Sequence, residues 1–488
     1  MIRVGAPERV RHREQGHEGK PRGAGVTAAP LIMRADADSS AVSPSVARSD
    51  PQPVRCLLIA EAANPEWVSV PLEGWSHSRA LAAVTRSHLV TQVRNRDALT
   101  RAGLSPRDFT AIDSERVAAR MYKLATALRG GSGKGWTLVT AMGALSYYYF
   151  ERLVWREFGG RIRSGEFDIV HRLTPLSPTV PSLLAAKCGR AGVPFVMGPL
   201  NGGVPWPRGF DSARRREKEW LSYVRSAYRL LPGYRSTLRH ASAIITVSRD
   251  TLAQVPATYR EKCVYIPENA IDPARFERRA KAGPARPLRA AFVGRLVPYK
   301  GADMAIEAAA GLIRDGKLLL DIIGDGPEMA ALRGTVERER LGAGVTLGGW
   351  VEHAKLRARL AESDIFLFPS IREFGGAVVL EAMAAGLVPV VVDYGGPGEL
   401  VTAATGFTVP IGTRSQIVAG LRVILERLVA DDSVIPCMAL QAQDRAFGQF
   451  TWDAKAAQVL QVYDWVLGRG PKPDFGMPLP DVELENAG

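Results

Sequence analysis

The chain has 488 residues, of which 46% are hydrophobic and 23% are charged, and its formal net charge is +13. This balance is typical of a globular protein with two or three domains and excludes a collagen-like, low-complexity or wholly disordered chain. The sequence contains no CxxC pair and no uncharged apolar run of about 18 residues, so we expect no disulfide framework, no structural zinc site and no membrane-spanning helix. The positive charge favours a phosphate-bearing partner: nucleic acid, anionic lipid or a nucleotide-linked substrate.

The N-terminal half is predicted to hold a disordered tail and one α/β domain. Residues 1–53 lack apolar periodicity, and we expect them to be disordered. Strand-like and helix-like segments then alternate over residues 54–276, which predicts a doubly wound domain with a parallel sheet and helices on both faces. The predicted strands are 54–60, 136–140, 167–170, 195–197 and 243–247, and the predicted helices include 115–128 and 180–191.

A second α/β domain is predicted over residues 290–450, after a charged linker with Gly and Pro at 277–289. Its predicted strands are 290–293, 318–323, 345–347, 365–368 and 388–392, and its predicted helices are 302–315, 329–340 and 376–385. Residues 471–488 are predicted to be a loose tail. Because ligands bind at the carboxyl ends of parallel strands, we expect the site in a cleft between two facing domains.

A glycine pair and two glutamates follow the predicted strand 365–368. Gly375 and Gly376 allow the backbone to approach a ligand and begin a helix whose N-terminus can bind phosphate. Glu373 and Glu381 are eight residues apart, so both can reach one extended ligand. The alternative is a solvated helix start with a chance pair of glutamates.

A basic loop follows the first strand of the second domain. It contains Gly294, Arg295, Lys300 and Gly301. The Arg295 guanidinium offers a planar fork to phosphate oxygens, and the Lys300 ammonium offers a mobile point charge. A solvated basic loop is the alternative, but the position just after a strand favours a binding role.

These motifs together resemble the nucleotide-sugar-dependent retaining glycosyltransferases of family 4, which have the GT-B fold. The 294–301 loop is similar to the family's donor-diphosphate loop, and residues 320–327 are similar to the strand and turn that follow it. Trp350 and Val351 stand where the family holds the nucleobase, and Glu373 with Glu381 matches its paired-glutamate motif. Two further segments, 267–272 and 395–399, are similar to its interdomain segment and to a glycine pair with a trailing glutamate that supports the site backbone.

The resemblance implies a metal-independent hexosyltransferase of two facing Rossmann-like domains. It would move a sugar from a nucleotide-sugar donor to a glycan or lipid-linked acceptor, in cell-surface polysaccharide or glycolipid synthesis, without a cofactor. Arg295 and Lys300 would neutralise the leaving diphosphate, and Glu373 would bind donor-sugar hydroxyls, so these three are the predicted catalytic residues. The predicted donor-binding residues are Gly294, Val351, Phe374, Gly375, Gly376 and Glu381.

The acceptor is expected in the first domain, which the resemblance completes with a C-terminal helix at 451–468. Trp75 and His77 are predicted to lie in a loop after the first strand, and His171 and Asn201 at the ends of two others. All four are predicted to border the cleft. Many members of the family have a functional histidine two residues after the position of His171, where this chain has a leucine. An ordinary core or loop histidine is therefore an equal alternative for His171 and for His77.

The 208–239 segment carries nine basic and three acidic residues interleaved with apolar ones. It predicts an amphipathic basic helix that rests either on an anionic membrane or on the protein core. We expect a cytoplasmic protein. If the basic helix rests on a membrane, the protein would be attached peripherally to the inner face of the cell membrane. We expect no nucleic-acid partner, because the sequence offers no basic face with aromatic platforms beyond this short segment.

Two other functions fit the same architecture. A nucleotide-sugar 2-epimerase would need acid and base groups around a sugar carbon and no acceptor. A non-catalytic protein would bind the nucleotide sugar without turnover. Products formed with and without an acceptor distinguish the three.

Overall fold

The computed structural model describes residues 52–115, 136–211, 227–276, 278, 283–284 and 286–476. Over these residues the chain forms two parallel sheets with helices on both faces. The helices of the first half are α1 (Val70–Val84), α2 (Arg96–Arg101), α3 (Trp136–Arg163), α4 (Leu184–Arg190), α5 (Tyr234–His240) and α6 (Arg249–Gln254). Those of the second half are α7 (Ala302–Arg314), α8 (Met329–Arg338), α9 (His353–Ala361), α10 (Ala377–Ala384), α11 (Gly396–Leu400), α12 (Arg414–Ala430), α13 (Ile435–Gln449) and α14 (Trp452–Val466).

The first sheet has seven described strands in the order β3-β2-β1-β4-β5-β6-β7, all parallel. The strands are β1 (Arg55–Ala60), β2 (Arg86–Gln92), β3 (Phe109–Ile112), β4 (Ile169–Thr174), β5 (Phe195–Leu200), β6 (Ala243–Thr246) and β7 (Cys263–Tyr265). The order reverses between β1 and β4, so the carboxyl ends of these two strands border a crevice.

The second sheet repeats this plan with six described strands in the order β10-β9-β8-β11-β12-β13, again all parallel. The strands are β8 (Leu288–Val293), β9 (Leu318–Ile323), β10 (Val345–Gly349), β11 (Ile365–Phe368), β12 (Val388–Asp393) and β13 (Phe407–Pro410). The central strands β11 and β12 are nearly continuous apolar runs because helices cover both faces of the sheet. Here the switch point lies between β8 and β11.

The predicted α/β class with two doubly wound sheets is confirmed, but some predicted elements differ. Residues 136–140, predicted as a strand, form the first turns of α3, which runs for 28 residues without a proline. A short apolar run cannot be assigned to strand or helix by periodicity alone. Residues 136–140 are the start of a helix that continues to residue 163, so the short run was only part of a longer element. The strands β2, β3, β7 and β13 were not predicted. Most of the predicted helix 115–128, the tail 1–51 and residues 477–488 lie outside the described residues.

The last helix returns to the first domain. Tyr463 of α14 is buried there, and its hydroxyl lies 2.6 Å from His171 Nδ1 of β4. The chain before α14 also pairs with the interdomain segment, because Ile271 N–H donates to Phe450 O over 2.7 Å. The polypeptide therefore crosses between the two domains twice, at residues near 270 and near 451.

Candidate active site

The basic loop after β8 is held by close backbone contacts with the turn after β9. Leu296 N–H donates to Asp325 O over 3.0 Å, and Gly294 N–H donates to Ile323 O over the same distance. Gly324 has a φ of +144°, and a Cβ at that position would overlap the Gly294 carbonyl oxygen. The glycines of this region therefore allow two loops to pack backbone against backbone at the carboxyl edge of the sheet.

The same basic loop is tied to the loop after β11. Tyr299 O accepts from Ile371 N–H over 2.9 Å and from Ser370 Oγ over 3.2 Å. Gly301 has a φ of +78°, and its Cβ would lie 2.5 Å from Pro369 O. These contacts bring the ends of two neighbouring central strands together at the switch point.

Lys300 and Glu373 meet as an ion pair at this junction. Their side chains are 17% and 20% exposed, so both are largely withdrawn from water. The Lys300 ammonium also lies 5.3 Å from the centre of the Phe368 ring. Burial lowers the pKa of Lys300 to about 8 even though the Glu373 carboxylate is adjacent. The site thus holds a partly desolvated cation where an anionic ligand would approach the sheet.

The other predicted donor residues surround this pair. Arg295 is exposed two residues after the end of β8. Gly376 is buried in the left-handed conformation, with a φ of +67°, at the start of α10, and Glu381 lies in the second turn of that helix. Phe374 and Val351 are half-buried. The structure therefore places the predicted donor residues on the loops after β8, β10 and β11 and on α10.

The backbone of the glutamate loop is supported from behind by Gly395 and Gly396. Gly396 N–H donates to Glu373 O over 3.1 Å. Gly395 has a φ of +63°, and a Cβ on it would overlap the same Glu373 oxygen. A Cβ on Gly396 would overlap Phe374 O. These contacts agree with the backbone-support role predicted for the 395–399 segment.

On the acceptor side, the structure places His171 in the interior of the first domain. Its ring nitrogens face Tyr463 OH at 2.6 Å and Gly198 O at 2.8 Å. Burial lowers the pKa of His171 to about 3, so the ring is neutral. Both nitrogens are occupied by protein groups, which favours the core-histidine alternative over an acceptor role.

His77 lies on α1 rather than in a loop. Its ring packs edge-on against Trp452, with 5.0 Å between ring centres. Burial, with smaller effects of Lys455 and His171, lowers the pKa of His77 to about 3. Trp75 is two positions away, about 200° around the helix, and lines a cavity of about 540 Å³ that α1 shares with the start of α14.

Asn201 contacts a carboxyl group that sequence reasoning did not single out. Its Nδ2 donates to Glu268 Oε2 over 2.8 Å, and its Oδ1 accepts from Gly203 N–H over 3.1 Å. Burial raises the pKa of Glu268 to about 7. Glu268 belongs to the interdomain segment, and the next residue, Asn269, is packed on Gly375 so closely that a Cβ there would overlap its amide. This segment therefore connects the acceptor side to the glutamate loop.

Two further ionisable residues, half-buried Glu73 of α1 and buried Lys455 of α14, were also missed. Burial, followed by the charge of Glu268, raises the pKa of Glu73 to about 8. Burial, followed by the charge of Arg445, lowers the pKa of Lys455 to about 7. Glu73 Oε2, Lys455 Nζ and His77 Nε2 are buried without a hydrogen-bond partner in the described part of the chain. Such atoms suit a site that exchanges hydrogen bonds with water or with sugar hydroxyls.

Helices of the described ranges are too short or too polar to cross a bilayer. The same ranges contain no group of three or more His, Cys, Asp or Glu side chains arranged to hold a metal ion. Residues 212–226, the centre of the predicted basic amphipathic helix, lie outside the described residues.

Comparison with known proteins bears most directly on the second domain. Residues 274–428 match the sequence model of a family described as glycosyl transferases group 1. Over 233 residues, 46% of this chain and 55% of the relative, the chain is 30% identical to the glycogen synthase of Mycobacterium tuberculosis. Over 255 residues, 47% of this chain and 61% of the relative, it is 29% identical to the putative colanic acid biosynthesis glycosyltransferase WcaL of Escherichia coli. The chain therefore spans little more than half the length of these curated relatives.

The whole fold has counterparts among solved structures. Anabaena Alr3699/HepE in complex with UDP superposes with a TM-score of 0.50 and 18% identity, over 84% of this chain and 99% of that one. This likeness shows the fold, and the predicted GT-B arrangement is confirmed. The resemblance to glycosyltransferases is confirmed for residues 274–428 at the level of group 1, and membership of family 4 stays a prediction.

Proposed function

We propose that this protein is a retaining glycosyltransferase, related to family 4, that moves a hexosyl group from a nucleotide-sugar donor to a glycan or lipid-linked acceptor without a metal ion. The observation that carries the proposal is the Lys300–Glu373 ion pair, with Arg295 nearby on the same loop, at the switch point of the second sheet. Crevices at this position are the ligand sites of open parallel sheets.

The proposed chemistry follows from where charge develops. As the bond between the sugar C1 and the diphosphate oxygen breaks, negative charge grows on the diphosphate. Lys300, Arg295 and the amides at the start of α10 stabilise that charge more in the transition state than in the ground state. The acceptor oxygen forms its bond to C1 on the face the diphosphate leaves, and its proton passes to the departing phosphate oxygen.

The two glutamates bind different parts of the donor. Glu373 is held next to Lys300, where a carboxylate can accept hydrogen bonds from sugar hydroxyls. Glu381 lies in the second turn of α10, where it can accept from ribose hydroxyls. Glu73, Asn201, Glu268 and Lys455 would supply hydrogen bonds to the hydroxyls of the acceptor.

The relatives support a role in polysaccharide synthesis, since one is named for glycogen synthesis and one for colanic acid biosynthesis. Anabaena HepE was crystallised with UDP, which makes UDP-sugars the first donors to test. We further propose a cytoplasmic location with peripheral attachment to the membrane, based on the net charge of +13. Sedimentation with liposomes that contain or lack anionic lipid tests the attachment, and equal recovery in both supernatants would rule it out.

The function is tested by screening UDP-, GDP- and ADP-sugars for thermal stabilisation and then identifying products. A ligand that binds the folded state raises the melting temperature as its concentration exceeds Kd. We expect one nucleotide class to stabilise the protein and an acceptor-dependent product with retained anomeric configuration. An epimer formed without acceptor would assign the epimerase alternative, and stabilisation without transfer or hydrolysis would assign the binding protein.

A further inference from the structure

The first domain contacts the loop that carries Glu373. Arg372, the residue before Glu373, donates from Nε to Val204 O over 3.3 Å, and its guanidinium lies 4.9 Å from the centre of the Trp206 ring. Tyr394 OH donates to Pro205 O over 3.0 Å. A short segment after β5 thus touches both C-terminal loops that shape the glutamate site.

A second contact between the two domains is more deeply buried. Glu399 of α11 is 2% exposed and comes from the second domain, yet its hydrogen-bond donors belong to the first. Glu399 Oε1 accepts from the backbone N–H of Arg249 over 2.9 Å and lies 3.5 Å from Arg249 Nε. Tyr265 OH donates to Glu399 Oε2. Arg249 Nη2 also pairs with Asp393 Oδ1 at 2.8 Å, so one arginine bridges two carboxylates.

This buried contact leads directly to Glu373. Glu399 and Asp393 flank Gly395 and Gly396, and Gly396 N–H is bonded to Glu373 O. The Gly395 Cα lies so close to that oxygen that a Cβ would overlap it. Any shift of the 393–399 segment therefore moves the backbone of Glu373, because no space separates the two loops.

We propose that Arg249, Tyr265 and Glu399 are positioning residues that set the orientation of Glu373 when the two domains are together. The inference rests on the proposed function. A buried carboxylate is stable only with hydrogen-bond donors, and the donors of Glu399 come from the other domain. Separation of the domains would exchange them for water and release the 393–399 segment. The contact thus couples closure of the crevice to completion of the sugar-binding loop.

The test compares Arg249→Ala and Glu399→Gln with wild type in two measurements. The kcat of sugar transfer is measured with the donor that the screen identifies, and Kd is measured for whichever of UDP, GDP and ADP stabilises the wild type most. We expect kcat to fall about 10- to 100-fold, as expected for a displacement of about 1 Å of a group that positions substrate. Nucleotide Kd should change less than about threefold, since the proposed phosphate groups lie on the second domain alone. Arg249→Lys should recover part of the loss because it keeps a positive charge beside Glu399 and Asp393, whereas Arg249→Ala keeps only the backbone N–H that donates to Glu399.

The double variant Arg249→Ala/Glu399→Gln should be no worse than the worse single variant by more than about twofold, because both changes remove one shared contact. Arg414→Ala is the matched control: its guanidinium pairs with Asp303 and Glu307 at an exposed site within the second domain, and its kcat should equal that of wild type. A wild-type kcat in both single variants, or a rise in Kd as large as the fall in kcat, would overturn the positioning role.

Small-angle scattering separates this inference from the proposed function. Arg249→Ala and Glu399→Gln should increase the radius of gyration of the nucleotide-free protein, whereas Arg414→Ala should not. If wild type binds no nucleotide and transfers no sugar, the proposed function fails, while the scattering result still decides whether these residues hold the domains together. Identical radii for all four proteins would refute the contact itself.

Discussion

The proposed donor and acceptor sides of the crevice are assembled in different ways. The Lys300–Glu373 pair comes from two short loops, each directly after a central strand of the second sheet. Glu73, Asn201, Glu268 and Lys455 come from a helix, a loop, the interdomain segment and the last helix. The first set is fixed by backbone contacts between neighbouring loops, and the second by burial of side chains from distant parts of the chain.

The two sides also differ in how burial affects charge. On the donor side, Lys300 forms an ion pair with Glu373. Its pKa is about 8, so it is mostly charged at neutral pH. On the acceptor side, burial raises the pKa of Glu73 to about 8 and lowers that of His77 to about 3, which favours the neutral forms. A charged pair suits a diphosphate, and the neutral forms of Glu73 and His77 suit hydroxyl groups, as the proposed reaction requires. Glu268 and Lys455, with pKa values of about 7, are close to half-charged at neutral pH.

The largest expected effect is loss of leaving-group stabilisation on the donor side. Lys300→Ala, and independently Arg295→Ala, should lower the transfer rate by about 100-fold or more, the cost of removing one group that stabilises developing negative charge. Steady-state kinetics with the donor identified by the screen measures it. Lys317→Ala, which removes an exposed lysine paired with Asp315 in the same domain, should leave the rate unchanged. Wild-type rates in both basic variants would exclude their assigned roles.

Backbone support of the donor side gives the next largest effect. Gly395→Ala should lower kcat about 30-fold, because a Cβ there must push the Glu373 carbonyl aside. Gly316→Ala is the matched control, since Gly316 has a similar φ of +66° but no atom of another part of the chain within 4 Å of where its Cβ would stand. Both variants place an alanine at positive φ, and Gly395 adds a ψ of −156° and the contact with Glu373 O, so a fall in kcat confined to Gly395→Ala reports disturbance of the Glu373 loop. Equal kcat values would show that the loop tolerates displacement.

This contrast explains how far the sequence could predict the site. Strand-ending loops with Gly, Lys and Glu at short spacing are local signals, so Gly294, Lys300, Glu373 and Gly376 could be selected from the sequence alone. Glu73 and Lys455 are 382 positions apart in numbering and look like ordinary surface charges of amphipathic helices. Only the return of α14 to the first domain brings the two side chains close together. For His171 the sequence left a core histidine and an acceptor role as equal alternatives, and its two hydrogen bonds, to β5 and to α14, favour the core alternative.

Most strands of the fold could also be predicted, because they too leave a local signal in the sequence. The apolar runs of β1, β8, β11 and β12 are buried on both faces and are easily recognised. The edge strands β3 and β13 are only partly buried and carry mixed residues, so they carried no such signal. Tertiary pairing rather than composition determines strands of that kind.

The charge of Lys300 should be visible in nucleotide binding. Because its pKa is about 8, Lys300 is about 90% deprotonated at pH 9, and binding a diphosphate must then take up a proton. We expect the Kd for UDP, or for the nucleotide that binds, to rise about tenfold between pH 7 and pH 9. Lys300→Arg should abolish this rise, since guanidinium stays charged. An equally steep rise in the arginine variant would assign the pH dependence to another group.

The smallest effect concerns stability on the acceptor side, where Lys455 is 1% exposed and its Nζ has no hydrogen-bond partner among residues the structure describes. Burial lowers its pKa from 10.5 to about 7, so below pH 7 the folded protein holds the full cost of a buried ammonium. Between pH 7 and 10.5 the folded state binds fewer protons than the unfolded state, and the wild-type free energy of unfolding should rise with pH through this lysine. Glu73 acts in the opposite direction up to pH 8, because its pKa is raised in the folded state.

Lys455→Met removes the lysine contribution and keeps an unbranched apolar side chain over Phe450. The gain in free energy of unfolding over wild type should therefore be larger at pH 6.5 than at pH 9, by about 1 kcal/mol or more, given about 1.4 kcal/mol per pKa unit. Urea unfolding at the two pH values measures it. Lys317→Met, at an exposed lysine, should show no pH-dependent difference. A gain of equal size at both pH values would mean that Lys455 binds its proton equally in the folded and unfolded states over this range, so that burial does not lower its pKa.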